Sequence, residues 1–360
     1  AHLVPFMTTW ADRELAMLLG IPMYGADPKD VHFGTKSEGT KLFSLAGISH
    51  PAGAEDLRSQ DDVVAATMGL LQRFPRTDRV IVKHNEGVSG FGNAIVDLAG
   101  LPGGSTNADA VEQRIRSMTR NEHAGSFDDY LASLAIEGGI VETMISGENL
   151  PSPSVQMRIT PLGEVEVLST HDQILGGEGG QVFMGSRFPA NPEYAVQISR
   201  SARKVGELLA DRGIIGRFAI DFMMTPTEVG WQDHAIELNL RKGGTTHPFL
   251  TLQFLTDGQY DEASGHFLAP SGRQKYYVTS DHLEVDGLER LTPQDLLDIA
   301  LMEDLHFNQA TQTGSVFHML SALPTHGFVG VTSVGDSASE AQARYDAVVD
   351  VLTRQARAVR

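Results

Sequence analysis

Two neighbouring segments, Gly216-Arg-Phe-Ala-Ile-Asp-Phe-Met223 and Trp231-Gln-Asp-His-Ala-Ile-Glu-Leu-Asn-Leu-Arg241, decide how the rest of the chain is read. They read as two strands joined by a turn containing Pro226. Asp221 has apolar neighbours on both sides, which is costly for a carboxylate unless it is paired or ligates a cation. Glu237, Asn239 and Arg241 are spaced by two, so on a strand they project from one face. Two carboxylates and an amide oxygen are hard donors suited to Mg²⁺, which typically bridges ATP phosphates. Arg241 beside them suits a carboxylate or a developing phosphate charge. The plain alternative is a solvated polar strand face with a salt bridge, and the apolar surroundings of Asp221 argue against it.

Upstream, residues 79–83 form a short β-branched run, followed by Glu86-Gly-Val-Ser-Gly-Phe-Gly-Asn93 and a second such run at 94–98. This is a strand, a glycine-rich turn and a returning strand, unlike the strand-to-helix turns that set phosphate on a helix N-terminus. A hairpin whose backbone N–H groups fold over phosphates fits the pattern, with Lys83 supplying a fixed positive charge. An ordinary glycine-rich hairpin with an exposed lysine fits it equally well.

Helical spacing marks residues 12–19 before Gly20, 37–46 before Gly47 and 61–74 before Pro75. Further helices are expected at 109–119, 127–134, 194–209 and 246–255, a strand at 139–145, and a meander over 154–175 turning at Pro161-Leu-Gly163. The tail reads as a helix at 293–302, strands at 314–320 and 328–333, and a helix over 337–357. Residues 2–7 read as an apolar strand with nothing before it to pair with, and the chain starts at Ala1, so an upstream segment is expected.

A chain of 360 residues allows two or three domains. Its 28 Lys and Arg against 46 Asp and Glu give a net charge of −18. A chain this acidic has little general attraction for nucleic acid or anionic lipid, so an anionic ligand must be held locally. The absence of cysteine excludes disulfide scaffolds, thiolate metal sites and Cys nucleophiles, and is compatible with the cytoplasm as the expected location. No apolar run approaches a membrane span of about 18–20 residues. The 37 glycines exceed the usual share of about 7%, and the surplus gathers in 86–93, 176–180 and 243–244, as expected of loops closing over a ligand. The oligomeric state is left open.

In order along the chain, Lys36 in Gly-Thr-Lys-Ser, Lys83 before the glycine-rich hairpin, Glu142 followed by Ser-Gly-Glu148, Ala-Ile-Asp221-Phe-Met and Glu237-Leu-Asn239-Leu-Arg241 resemble the motifs of ATP-grasp ligases. The resemblance implies an α/β (α+β) fold of two lobes gripping ATP. It makes Lys36 and Lys83 phosphate ligands and the hairpin residues Gly87, Ser89, Gly90, Gly92 and Asn93 a clamp over the phosphates. Glu142 falls at the adenine and Glu148 at the ribose, with a one-residue offset open because Asn149 follows. Asp221, Glu237 and Asn239 would hold Mg²⁺. The run from Glu237 to His247-Pro248 also resembles biotin carboxylases, which have Glu immediately before His-Pro, tied to bicarbonate chemistry. Here that residue is Thr246, so bicarbonate activation is not expected.

A closer similarity, covering nearly the whole chain, is to peptide ligases of the pheganomycin type. It rests on Ser152-Pro-Ser-Val-Gln156-Met-Arg158, Ser169-Thr-His171-Asp-Gln173, Phe188-Pro-Ala190, Arg241-Lys-Gly-Gly-Thr-Thr-His-Pro248, and Leu305-His306-Phe, Thr313-Gly314 and Phe317-His318. It implies ATP-dependent joining of a carboxylic acid, a guanidino or amino acid, to the amino terminus of a peptide. It also implies an N-terminal Rossmann-like lobe lying mostly upstream, with residues 1–30 as its remnant; on the order of elements alone, 31–145 reads as the lobe with the hairpin, 146–262 as the catalytic lobe and 263–360 as an α+β extension. Arg241 is expected to hold the donor carboxylate, with Lys83 beside it in catalysis. Arg158, His171, Gln173, Gly243, Gly244, Thr245, Thr246 and His247 are candidate substrate contacts, while His306 and His318, between apolar neighbours, are expected in the core. An ATP-binding sensor and a small-molecule ligase or kinase remain the alternatives.

Overall fold

Two antiparallel sheets divide the chain in the computed structural model, which describes residues 1–87, 92–101, 107–120, 125–147, 149–176 and 182–358. The first sheet contains β1 (Gly53–Leu57), β2 (Arg79–His84), β3 (Asn93–Asp97), β4 (Thr119–Arg120) and β5 (Gly139–Thr143), in the order β1-β5-β2-β3-β4. Val80 and Val82 of β2, Val96 of β3 and Val141 of β5 point into an apolar core with the helices Gln60–Arg73, Ala108–Arg116 and Phe127–Glu137. Each of these helices starts at a side-chain cap, from Ser59, Asn107 and Ser126. Strand alternation then turns Ile81, Lys83 and Glu142 to the opposite face.

The second sheet begins with β6 (Pro153–Ile159), β7 (Val165–Gly176), β8 (Val182–Phe188), β9 (Gly216–Thr227) and β10 (Gly230–Asn239). A small separate pair follows, β11 (Gln259–Asp261) with β12 (His266–Leu268), and then β13 (Tyr276–Glu284), β14 (Gly314–His318) and β15 (Phe328–Gly335). The large sheet runs β10-β9-β6-β7-β8-β13-β15-β14. Its main core packs Val155, Met157 and Ile159 of β6 and Phe218, Ile220 and Phe222 of β9 against the helix Pro192–Ala210. Truncating a buried aromatic such as Phe218 to Ala would cost about 3–5 kcal/mol. The helix Lys36–Leu45 contributes Leu42 and Phe43 to this core and also touches β1 and β5, so it joins the two sheets.

The tail does not stand apart from this sheet. β13 pairs with β8, so strands from residues 146–262 and 263–360 share one sheet, while the helices Pro293–Met302 and Ala338–Ala358 close a separate apolar core beneath β13 and β15.

Several expectations are corrected. Residues 2–7 form no strand: Leu3 makes a single parallel bridge to Met23, and Phe6 and Met7 are exposed. Pro226 lies within β9, opposite Trp231, and the turn falls at Glu228 and Val229. β1, β8 and β13 were not anticipated. His306 is exposed rather than in the core, because β14 only bridges to it through Ser315. No helix among the described residues is long and apolar enough to cross a membrane.

Candidate active site

The hairpin of β9 and β10 sets the geometry. Phe218, Ile220 and Phe222 face the core, which turns Arg217, Ala219 and Asp221 to the other side of the sheet. On β10 the parity changes midway, with Ala235 and then Leu238 in the core. The cause is a β-bulge: Ala235 pairs with Phe222 and Glu237 with Asp221, leaving Ile236 as the extra residue. The bulge brings Glu237 and Asn239 onto the face of Asp221. β6 supplies Ser154 on the other flank of Asp221.

Burial pushes the Asp221 carboxyl up to about 6, and the neighbouring Glu237 charge adds to the shift, partly offset by Ser154, Arg241 and Lys36. Asn239 Nδ2 donates to Asp221 Oδ2 at 3.1 Å, and a half-turn of that amide would present its oxygen instead. The described residues hold no cluster of three or more His, Cys, Asp or Glu side chains fit for a metal. A cation here would rest on two carboxylates and one amide. The donor set fits Mg²⁺, because a hard divalent ion offsets the Glu237 charge that opposes ionisation of Asp221.

Lys36 opens the helix Lys36–Leu45, and its buried ammonium donates to Glu237 Oε1 at 2.7 Å and to the Gly87 carbonyl at 2.8 Å. It therefore ties the β10 carboxylate to the start of the glycine-rich turn. Asn85 fixes the helix start, accepting from the Ser37 amide at 3.0 Å and the Ser37 hydroxyl at 2.8 Å. The sequence reading missed Asn85. Its only signal was an amide side chain between a strand and the glycine-rich turn.

Lys83 and Glu142 form a buried ion pair with each other. The residues expected at phosphate and adenine are thus mutual partners here, each compensating the other's burial. Gly92 has φ +83°, and a Cβ there would meet the His84 side chain at 3.0–3.3 Å, so the returning strand requires glycine. Asn93 opens β3 opposite Lys83. Ser89, Gly90 and Glu148 lie outside the described residues.

The loop after β10 is held from within. Gly243 N donates to Thr246 Oγ1 at 3.1 Å, and Thr246 Oγ1 donates to Gln156 Oε1 on β6 at 3.2 Å. A Cβ on Gly244 would lie 2.9 Å from the Phe183 ring. Thr245 is buried, whereas His247 is exposed and stands 4.5 Å from the half-buried His318, ring centre to ring centre. Arg158 is engaged by Glu166 at 2.5 Å, and Gln173 lies on β7 opposite Ser186. His171 is a core residue rather than a substrate contact. It is fully buried, shares a 2.7 Å hydrogen bond with the Tyr277 hydroxyl, packs against Phe188 and Phe249, and burial pushes its pKa down to about 3. Arg241 lies 5.9 Å from the Phe6 ring centre and donates to the Lys242 carbonyl at 2.9 Å.

Two lobes, a glycine-rich turn between antiparallel strands and a paired-carboxylate hairpin facing it through a lysine define an ATP-grasp protein. The comparisons agree: the profile of the IQCH-like ATP-grasp family matches residues 105–263, and that of the PGM1 C-terminal domain matches 295–348. The L-propargylglycine–L-glutamate ligase of Streptantibioticus cattleyicolor is 31% identical over 356 residues, 98% of this chain and 70% of that protein. The chain belongs to the ATP-grasp family of ATP-dependent carboxylate–amine ligases. Among solved structures, the biotin carboxylase of Campylobacter jejuni bound to a β,γ-ATP compound matches at TM-score 0.62 and 13% identity, over 99% of this chain and 78% of that one. The biotin carboxylase domain of Hydrogenobacter thermophilus 2-oxoglutarate carboxylase, bound to MgADP and bicarbonate, matches at 0.60 and 14%, over 99% and 78%. At that identity the likeness speaks for the fold.

Proposed function

We propose that the chain activates a carboxylic acid with ATP as an acyl phosphate and delivers the acyl group to the amine of an amino acid or peptide. The observation that carries this reading is the placement of Asp221 beside Glu237, with Lys36 linking that carboxylate pair to the glycine-rich turn. A carboxylate oxygen of the donor attacks the γ-phosphorus of ATP and ADP leaves. The amine then attacks the acyl carbon, the carbon–oxygen bond to phosphate breaks, and the amine proton passes to solvent.

Lys36 and Lys83 exchange their carboxylate partners for phosphates and hold them in place. Arg241, two residues beyond the end of β10, orients the donor carboxylate. Mg²⁺, held by Asp221, Glu237 and Asn239, would neutralise phosphate charge during transfer. Thr246 in place of a glutamate, engaged with Gln156, leaves the loop without the acid expected for bicarbonate.

The S. cattleyicolor relative joins two α-amino acids by name. Donor and acceptor here are accordingly read as amino-acid-like: a guanidino or amino acid as donor, a peptide or amino acid as acceptor, in the cytoplasm and in the making of a peptide natural product. Residues 1–30 are read as part of a preceding lobe, 31–145 as the hairpin lobe, 146–262 as the catalytic lobe and 263–360 as its extension.

The test supplies ATP and Mg²⁺ with a panel of amino and guanidino acids and short peptides, and follows nucleotide and condensed product by mass spectrometry. ADP formation dependent on both an acid and an amine is expected. AMP and pyrophosphate, or ADP formation indifferent to the amine, would overturn the reading.

A further inference from the structure

At the other end of the same sheet face, the charges do not balance. β6 and β9 set Arg158 directly opposite Arg217. Glu166 takes Arg158 at 2.5 Å, but Arg217 has no ion pair among the described residues, and its Nη1 is buried without a hydrogen-bond partner. Lys242 stands close enough for Arg217 to help lower its pKa, after burial, and donates only to the Val4 carbonyl at 3.0 Å. A small opening lined by Phe6, Tyr24, Gly25, Arg217, Arg241 and Lys242 leads to these groups. Half-buried side by side, Arg217 and Lys242 repel each other, and the buried Nη1 of Arg217 has lost its water without gaining a partner. An anion placed there would relieve both.

From this we infer that Arg217 and Lys242 form a binding subsite for a carboxylate of the acceptor. Arg241 lines the same opening and its charge also reaches Asp221, at whose end the donor carboxylate is read. The inference rests on the ligase reading above. Four residues separate Asp221 from Arg217 along β9, about 13 Å at the rise of a strand. The reacting donor carboxylate must lie next to the phosphates, at the Asp221 end. An acceptor amine attacking there leaves its own carboxylate directed away, and a side chain the length of arginine closes the remaining gap for an amino acid or short peptide. The planar guanidinium fork matches a carboxylate, with Lys242 adding a point charge.

The test uses the full chain with Arg217→Gln, Lys242→Gln and Arg217→Lys, and two acceptors that differ in one group: L-glutamate and its α-amide. Hydroxylamine trapping of the acyl phosphate reports the donor half-reaction without any acceptor. Arg217→Gln should raise KM for L-glutamate about 10–100-fold, the range of a lost charge-assisted hydrogen bond, with kcat and hydroxamate formation within a few-fold of wild type. It should leave the α-amide, already a poor acceptor, unchanged, and Arg217→Lys should recover part of the loss. An unchanged preference for the carboxylate over the amide with hydroxamate intact would overturn the subsite alone. A shift in donor KM during trapping would overturn its assignment to the acceptor. No hydroxamate with any acid would overturn the ligase reading and this inference with it.

Discussion

The two sheets meet the candidate site with opposite electrostatics. On the small sheet, Lys83 and Glu142 come from adjacent strands and satisfy one another in the dark of the fold. On the large sheet, Asp221 and Glu237 also come from adjacent strands, yet they carry the same charge, and their nearest cation, Lys36, is brought in by the helix that joins the sheets. The first pair is stable as it stands. The second is held in a state that a bound cation improves, so structure and function pull together at Lys83 and apart at Asp221.

Substitutions should separate these two behaviours. The largest effect is expected from Asp221→Asn or Glu237→Gln: acid-dependent ADP formation should fall by about 100–1,000-fold, while the melting temperature of unliganded Asp221→Asn, which strands no cation, holds or rises. A clear drop in melting temperature would mean that the carboxylate pair is part of the scaffold. Next, Lys83→Met should cost about 3–5 kcal/mol of stability by stranding Glu142. Adding Glu142→Gln should restore most of it, as read by denaturant unfolding, without restoring activity. Lys36→Met should lose activity but little stability, about 1 kcal/mol or less, because the Glu237 side chain it leaves is 25% exposed and water can take over.

The smallest effect concerns pH. The folded protein holds the Asp221 proton more tightly than the unfolded chain, so in metal-free buffer stability should fall as pH rises from the ordinary carboxylate range to about 6, then level. Asp221→Asn should lack this component, and Mg²⁺ with nucleotide should remove it from the wild type. Parallel pH–melting curves for wild type and Asp221→Asn would break the comparison.

Much of the site was legible because its residues are local. Asp221, Glu237 and Asn239 sit within one hairpin, and strand spacing alone places the last two on one face, whereas Arg241 follows the end of β10. Helix starts and stops were equally readable, as at Gly20, whose φ of +64° ends the helix Trp10–Leu19. What depended on distant segments was not. The pairing of Lys83 with Glu142 needs the β2–β5 register, and the exposure of Arg217 to Arg158 needs that of β6 and β9. His171 looked available because nothing near it in sequence announces Phe188, Phe249 and Tyr277, which enclose it. β1, Gly-Ala-Glu-Asp-Leu, carries no β-branched or aromatic residue and becomes a strand only because β5 offers it an edge.

The extra residue at Ile236 has a wider meaning for how this strand reads. Upstream of it β10 is written in one phase, downstream in the other, so a single strand serves an oily interior with its first half and the proposed nucleotide site with its second. Letting Ile236 take the place opposite Asp221 would erase the bulge without changing the length of the chain, and it would act like a frameshift in three dimensions: Glu237 and Asn239 would be carried into the packed layer opposite Ile220 and Phe218, and Leu238 would be left on the face of Asp221.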